Sequence, residues 1–381
     1  MNESDLKPYA VRSEESRGRR HEEVRAEMDA DVPRRLCFQK DRDRIIHCKA
    51  FRRLKDKTQV FVPHHDDHAR NRLTHTLEVA QIARDLARML GLNEDLAEAI
   101  ALAHDLGHTP FGHAGEWALD KCLRFEHNEQ SQRIVEEIEH VHPGFPGLNL
   151  SVEVIEGLMK HQTSWDRAGV KGNSGGGTSG DVNSSCEIRP SLEAQVVNLA
   201  DEIAYQNHDV DDGLRNGFFT EEKLAGLVLW RVASEKVQAR YGELEDEYVR
   251  RARTVSSMIG IMISDVYLET LRRLEVEGVK TLKDVYACEK QLVGFSSDME
   301  VTNRDLKQFL ARNVYFSEVV RQNSRRGQEI IKALFHYYVE GPEGFPKKPD
   351  GLMDPEEARD FIAGMTDRFA EQKAVELGLE F

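Results

Sequence analysis

Three histidines and an aspartate fall within the ten residues from His104 to His113, HDLGHTPFGH, with His75 upstream and Asp201 downstream. Neutral imidazoles and carboxylates are the ligand types that borderline and hard divalent ions accept. Adjacent His104 and Asp105 cannot point the same way inside a helix, yet at a helix end both can turn onto one ion. Gly107 and Pro110 end the helix and free His108 and His113 from its register. His75, His104, Asp105 and Asp201 together would leave positions open for water and a phosphate oxygen, which suits hydrolysis. A single inward histidine is more often a satisfied core residue. A His-Asp pair followed by a His-rich turn broken by glycine and proline is not explained by packing.

His113 and Glu116 are spaced i, i+3, so they share a face if a helix restarts there. A histidine oriented by a glutamate can move protons at neutral pH. Glu116 could equally be a first-turn carboxylate that satisfies the helix dipole. His127, Asn128 and Glu129 carry polar groups able to reach the same pocket or to open a solvated helix. His161 is ambiguous from spacing alone. Nine lysines and arginines crowd residues 42–72. Arg72 lies one turn before His75 and could hold a phosphate near the metal; most of the others read as a solvated face.

The elements that must aim these groups are helices. His75 shares a stripe with Val79, Ile82 and Leu86 in a helix predicted over 73–90 and ended by Gly91. His104 extends the stripe of Ala99, Ile100 and Ala103 in a helix over 95–106. Asp201 falls on a face with Val197, Tyr205, His208 and Asp209. Three separate helices therefore point a ligand-type side chain inward. Helical spacing also covers 117–122, 131–139, 221–241, 244–277, 305–313, 317–340 and 355–377, while 141–150 reads as a loop. Period-two alternation is nearly absent, so the fold class is all-α. We expect an N-terminal arm at 1–45, a metal-binding catalytic core at 46–215, and a C-terminal helical region at 216–381 packed on the core. Within the core, the Gly- and Ser-rich stretch at 166–190 reads as a mobile surface loop.

The chain has 381 residues, enough for one large helical domain or two smaller ones. Its formal net charge of -15 argues against a general nucleic-acid surface, though not against an anionic substrate. The five cysteines are scattered without a CxxC pair, as expected in a reducing cytoplasm. The N-terminal residues are polar, with no apolar signal segment, and no stretch approaches the roughly 20 apolar residues of a membrane span. A soluble, cytoplasmic protein without membrane partners is expected.

The order H…HD…D resembles that of the HD-domain metal phosphohydrolases. The resemblance is most specific to their deoxyguanosinetriphosphate triphosphohydrolase-like, or dNTPase, branch. It is carried by RDRIIHCKAFRRLKDKTQVF, RLTHTLEVAQIAR, HDLGHTPFGHAGE, FEHNEQS, NLADEIAYQNHDVDD, LKQFLARNVY and DFIAGMTDRFA, spread over almost the whole chain. It implies an HD-domain helical fold with His75, His104, Asp105 and Asp201 as metal ligands. It implies that His113 stands in line with the leaving group, with Glu116 as its carboxylate partner, and that His108 and His127 face the triphosphate. Arg72 becomes a phosphate contact. Gln59 comes near a 3'-hydroxyl, and Tyr205 and Asp209 lie at the sugar, where the tyrosine crowds a 2'-hydroxyl. The implied reaction is attack by water at the α-phosphorus of a dNTP, dGTP or several of them, giving a deoxynucleoside and triphosphate. The implied cofactor is a divalent metal, Mn or Mg first, with Fe, Co or Zn also compatible with the ligand set. The implied assembly is a homo-oligomer, tetramer or hexamer, with an allosteric dNTP or single-stranded DNA as effectors. The Gly/Ser-rich insert at 169–180 departs from the family pattern.

Two other readings compete. One is an HD phosphohydrolase acting on a monophosphate, cyclic dinucleotide or alarmone. The other is a nucleotide- or DNA-binding regulator without turnover, against which the His113/Glu116 pair counts.

Overall fold

A computed structural model describes residues 3–22, 35–60, 70–161, 189–341, 352–379 and 381. The stretch expected to form a mobile loop at 166–190 lies outside the described residues except for Arg189 and Pro190. In chain order the helices are α1 (Cys37–His47), α2 (Lys49–Arg53), α3 (Arg72–Leu90), α4 (Glu94–Ala103), α5 (His113–Cys122), α6 (His127–Arg133), α7 (Val152–Met159) and α8 (Leu192–Arg215). They continue as α9 (Glu221–Leu224), α10 (Val228–Tyr241), α11 (Glu247–Val276), α12 (Leu282–Ala287), α13 (Ser297–Leu310), α14 (Glu318–Glu340), α15 (Pro355–Ala363) and α16 (Asp367–Glu376). Among the described residues β pairing is confined to isolated bridges, such as Thr58 with Asn71. The fold is all-α.

Local chemistry sets the ends of the two helices that carry the first ligands. Asn71 caps α3 by accepting from the Thr74 N–H at 3.0 Å, and the Thr74 hydroxyl completes a reciprocal box. Gly91 closes α3 at φ +71°, a left-handed position that suits glycine. Asn93 then caps α4 through the Leu96 N–H. Leu96, Ala97, Ala99, Ile100, Ala101, Leu102 and Ala103 are all buried, so α4 is apolar around most of its surface, with Asp95 and Glu98 turned to Arg42 and Arg84, and lies within the main core. It packs against α1, α3, α7 and α8, and α8 in turn packs on α11. His75 on α3 and His104 just past α4 therefore emerge from the most tightly enclosed part of the molecule. Each fully buried aliphatic side chain there, such as Ile82 or Leu86, contributes about 1.5–3 kcal/mol relative to exposure.

A second, separate core joins Ala118 and Leu119 of α5 to Ile330, Ile331 and Leu334 of α14, Ile362 of α15 and Ala370 of α16. The helix that begins with His113 thus buries its apolar face among the C-terminal helices rather than in the main core. Part of the 1–45 segment also enters packing. Ala10 and Val11 are buried, and the buried Glu193 carboxylate accepts from the N–H groups of Val11 and Asn93 at 2.9 and 3.1 Å.

Two stretches expected to be single helices are each divided. The 221–241 stretch breaks between α9 and α10, where the Leu227 N–H turns back to the Leu224 carbonyl at Gly226. The 355–377 stretch breaks at Gly364, after which Thr366 caps α16 by accepting from the Phe369 N–H. No helix among the described residues is long and apolar enough to cross a membrane.

Candidate functional site

His75, His104 and Asp201 come together from α3, the end of α4 and α8, with one ligand atom from each lying within 4.8 Å of the others. Nε2 of His75 is 2.9 Å from Asp201 Oδ1, and Nε2 of His104 is 3.9 Å from the same oxygen. Asp105 joins them: its Oδ1 is 3.5 Å from His104 Nε2, and its Oδ2 is 3.9 Å from His75 Nε2. The four side chains expected as ligands are thus neighbours in one cluster, all of them buried.

The donor set fits a divalent cation. Nδ1 of His104 is 2.6 Å from the Ala101 carbonyl, so the ring proton sits there and the lone pair of Nε2 is directed to the cluster. That buried Nε2 has no hydrogen-bond partner among the described residues. On the other side, Glu78 contacts Nε2 of His208, and Nδ1 of His208 faces Nδ1 of His75 at 3.4 Å. Read as a chain of donors, this leaves Nε2 of His75 aimed at Asp201. Burial pulls the His104 imidazole down, which keeps it in the neutral form a ligand needs. Burial also pulls His75 down, but its contact with Asp201 outweighs this and raises its pKa. A cation between the two would take the place of that proton. Burial pushes Asp105 and Asp201 up, yet their histidine neighbours, with Arg72 beside Asp105, hold both well below the usual carboxylate range.

A second cluster adjoins the first through Asp105. Nε2 of His108 is 3.1 Å from Asp105 Oδ1, and the His108 ring stacks on His127 with centroids 4.1 Å apart. Glu116 organises the rest: one oxygen meets His113 Nδ1 at 3.0 Å, and the other meets both Nδ1 and N of His127, at 2.8 and 2.9 Å. Burial pushes Glu116 up, but His127 and His113 hold it well below its usual range, so it stays ionised. Glu116 is thus an orienting carboxylate as well as a first-turn residue. The His113 side chain is 59% exposed, which leaves its outer nitrogen accessible to an incoming molecule. Burial, with Arg72 and His127 nearby, holds His108 well below the ordinary imidazole value.

Glycines let these pieces meet. A Cβ on Gly107 would lie 2.2 Å from the His127 carbonyl oxygen and 2.3 Å from the Ser131 nitrogen, so glycine alone lets α6 seat against the turn. The Ser131 hydroxyl bridges the two, accepting from the Gly107 N–H and donating to the His104 carbonyl.

Arg72 is buried with Nη1 2.9 Å from Asp105 Oδ2, at the metal cluster rather than on an outer face. Gln59 is half-buried, and its carbonyl, like the Arg72 guanidinium, borders Gly112. Tyr205 and Asp209 follow Asp201 at one-turn intervals on α8, and both are buried. Burial pushes the Asp209 carboxyl up to about 7, and it accepts from the Tyr315 hydroxyl. The basic stretch divides: Lys49, Arg52, Arg53 and Lys55 are exposed, as a solvated face requires, whereas Arg44 binds the Leu148 and Asn149 carbonyls and Arg70 pairs with Glu78, Asp211 and Asp212.

Several neighbours escaped the reading by spacing. His161 brings Nε2 to 3.4 Å from Asp201 Oδ2. Its position after an apolar stripe was the available signal. Tyr315 lies in LARNVY, a segment noted without a role for its tyrosine. Lys57 is fully buried and donates to the His108 and Ala363 carbonyls, and burial pushes its ammonium down to about 7.

Comparison with known proteins agrees with this geometry. The HD domain family model matches residues 72–206, and the phosphohydrolase-associated domain model matches 293–376. A deoxyguanosinetriphosphate triphosphohydrolase-like protein of Geobacter sulfurreducens is 48% identical across 97% of this chain and 94% of its own length. The chain belongs to the HD-domain family, in its deoxyguanosinetriphosphate triphosphohydrolase-like branch. Similar proteins of the same description from Geobacter metallireducens and Parvibaculum lavamentivorans are 45% and 44% identical, again over more than nine-tenths of both chains. In this HD-domain phosphohydrolase the first matched region opens on Arg72 and takes in both histidine clusters and Asp201. The second takes in α13, α14, α15 and α16; α14 packs against α5, and α15 and α16 pack on α14.

Proposed function

We propose that the protein is a metal-dependent dNTP triphosphohydrolase that splits a dNTP into deoxynucleoside and inorganic triphosphate. The observation that carries this reading is the Asp105 bridge: a four-ligand cluster lies on one side of it and a carboxylate-oriented histidine set on the other. His75, His104, Asp105 and Asp201 would hold the ion, Mn or Mg first. When bound, such an ion supplies the positive charge that polarises a phosphoryl oxygen and activates water.

The chain's own residues do the rest. With Nδ1 engaged by Glu116, His113 has Nε2 left for proton transfer. As the bond from α-phosphorus to the 5'-oxygen breaks, His113 gives its proton to that oxygen. His108, His127 and Arg72 bind the triphosphate: one ring nitrogen of each histidine already faces a carboxylate, so the other donates when the ring is protonated beside the anion, and Arg72 serves as a fixed cation. Gln59 recognises the 3'-hydroxyl. Tyr205 and Asp209 hold the sugar, and the Tyr205 ring leaves no room for a 2'-hydroxyl. The active form is a homo-oligomer, tetramer or hexamer, open to regulation by a dNTP or single-stranded DNA.

Product analysis tests the reading. Metal-free and Mn- or Mg-loaded protein is incubated with each dNTP singly and with all four mixed. Deoxynucleoside plus triphosphate, only with metal, is expected. Monophosphate plus pyrophosphate, or silence in every tube with metal bound, would discard it.

A further inference from the structure

The His-rich turn is held from outside the metal cluster. Phe111 sits at φ +62° and Gly112 at φ +58°, so two successive residues occupy the left-handed region. For a phenylalanine that conformation is strained and persists only where surrounding contacts enforce it. One such contact is Asp367, whose Oδ1 accepts from the Phe111 N–H at 2.9 Å. Its Oδ2 accepts from the Thr58 N–H at 2.9 Å and from the Thr58 hydroxyl. The Phe111 side chain fills the space that Gly327 leaves on α14, where a Cβ would come within 2.7 Å of the ring.

The junction between α15 and α16, just before Asp367, holds this region at two more points. The Ala363 carbonyl accepts from Lys57 Nζ, which also donates to the His108 carbonyl, and the Gly364 carbonyl accepts from Arg53 at 3.0 Å. A first-turn carboxylate commonly serves its own helix. Here Thr366 supplies the cap of α16, and both oxygens of Asp367 reach other segments.

We propose that Asp367 is a positioning residue. It locks the second core to the Thr58 segment and to the Phe111 turn, and so sets His108 and His113 in register with the metal cluster. The need follows from the architecture. The proposed metal ligands belong to α3, the end of α4 and α8 in the main core, whereas His113 rides on α5 in the second core. Proton transfer requires these two bodies to be aligned to a fraction of an ångström. Asp367 touches neither the ligands nor His113, so it acts through the turn between them. This proposal rests on the reading of His113 as proton donor.

The test uses full-length, Mn-loaded protein with dGTP and with the four dNTPs mixed. Asp367→Ala removes both acceptors; Asp367→Asn keeps the shape and one of them. In the alanine variant kcat is expected to fall about 10- to 100-fold with Mn affinity unchanged and KM changing less than kcat, and the asparagine variant should fall less. Amide exchange at residues 108–112 should accelerate while α3 and α4 stay protected. Thr58→Val should also lower kcat, and combining it with Asp367→Ala should cost less than the product of the two effects. An unchanged kcat with accelerated exchange would overturn the proposal, as would Mn affinity falling in parallel with kcat. If the wild-type protein releases no triphosphate, the proposed reaction fails instead. The exchange measurement then still decides the clamp, which is overturned if residues 108–112 stay protected in Asp367→Ala.

Discussion

His104 and His113 lie nine positions apart and carry separable duties. His104 has its lone pair directed into the ligand cluster, whereas His113 is exposed, with its Nδ1 oriented by Glu116. His104→Ala should therefore abolish tight metal binding and activity together. His113→Ala should keep its metal and lose about 10²- to 10⁴-fold in kcat; metal analysis beside steady-state kinetics separates the two. Lys57 makes a different residue-scale prediction. Its amine is pushed from 10.5 down to about 7 in the folded chain. Between those values the unfolded chain binds the extra proton, so stability rises with pH and is lost as pH falls towards 7. The slope is at most about 1.4 kcal/mol per pH unit. Denaturant titrations from pH 7 to 9 should show this gain in the wild type and not in Lys57→Met.

At the scale of elements, the His turn depends on two helices meeting at Gly107. Gly107→Ala would drive a Cβ into the backbone of α6, and backbone cannot move aside as a flexible side chain can. A loss of about 3 kcal/mol is expected, at the upper end of ordinary overpacking, read as a lower urea midpoint. The sequence makes much of this level legible. The stripes that contain His75 and His104 and the Gly91 stop follow from periodicity and caps, whereas the helix start at His113 entered only as a condition on the His113/Glu116 pair. His208 falls on the Asp201 face and His161 follows an apolar stripe, but what they meet, and the role of Asp367, were not legible, because spacing tells which way a side chain points along its own helix. It does not tell which helices will face one another. The break at Gly364 escaped for a related reason: Gly364 adopts ordinary right-handed angles, so the stop is set by Thr366 capping the next helix.

Across the whole molecule, the ligands come from α3, α4 and α8, so an ion there would cross-link the main core. Chelation should lower the thermal midpoint. Metal at about 100 times its Kd should return roughly 2.7 kcal/mol of stability to the wild type. His104→Ala should show no such response. The two-core arrangement also explains why family resemblance extends into the C-terminal helices, which carry none of the proposed metal ligands: α14, α15 and α16 are the bed on which α5 and His113 rest.

The central claim concerns which bond is cut, and isotope transfer from water reads that bond directly. Mn-loaded protein would act on a dNTP in water enriched in oxygen-18, and both products would be weighed by mass spectrometry. Attack at the α-phosphorus with departure of the 5'-oxygen predicts one labelled oxygen in triphosphate and none in the deoxynucleoside. Label in the deoxynucleoside, or labelled monophosphate with pyrophosphate, would contradict it.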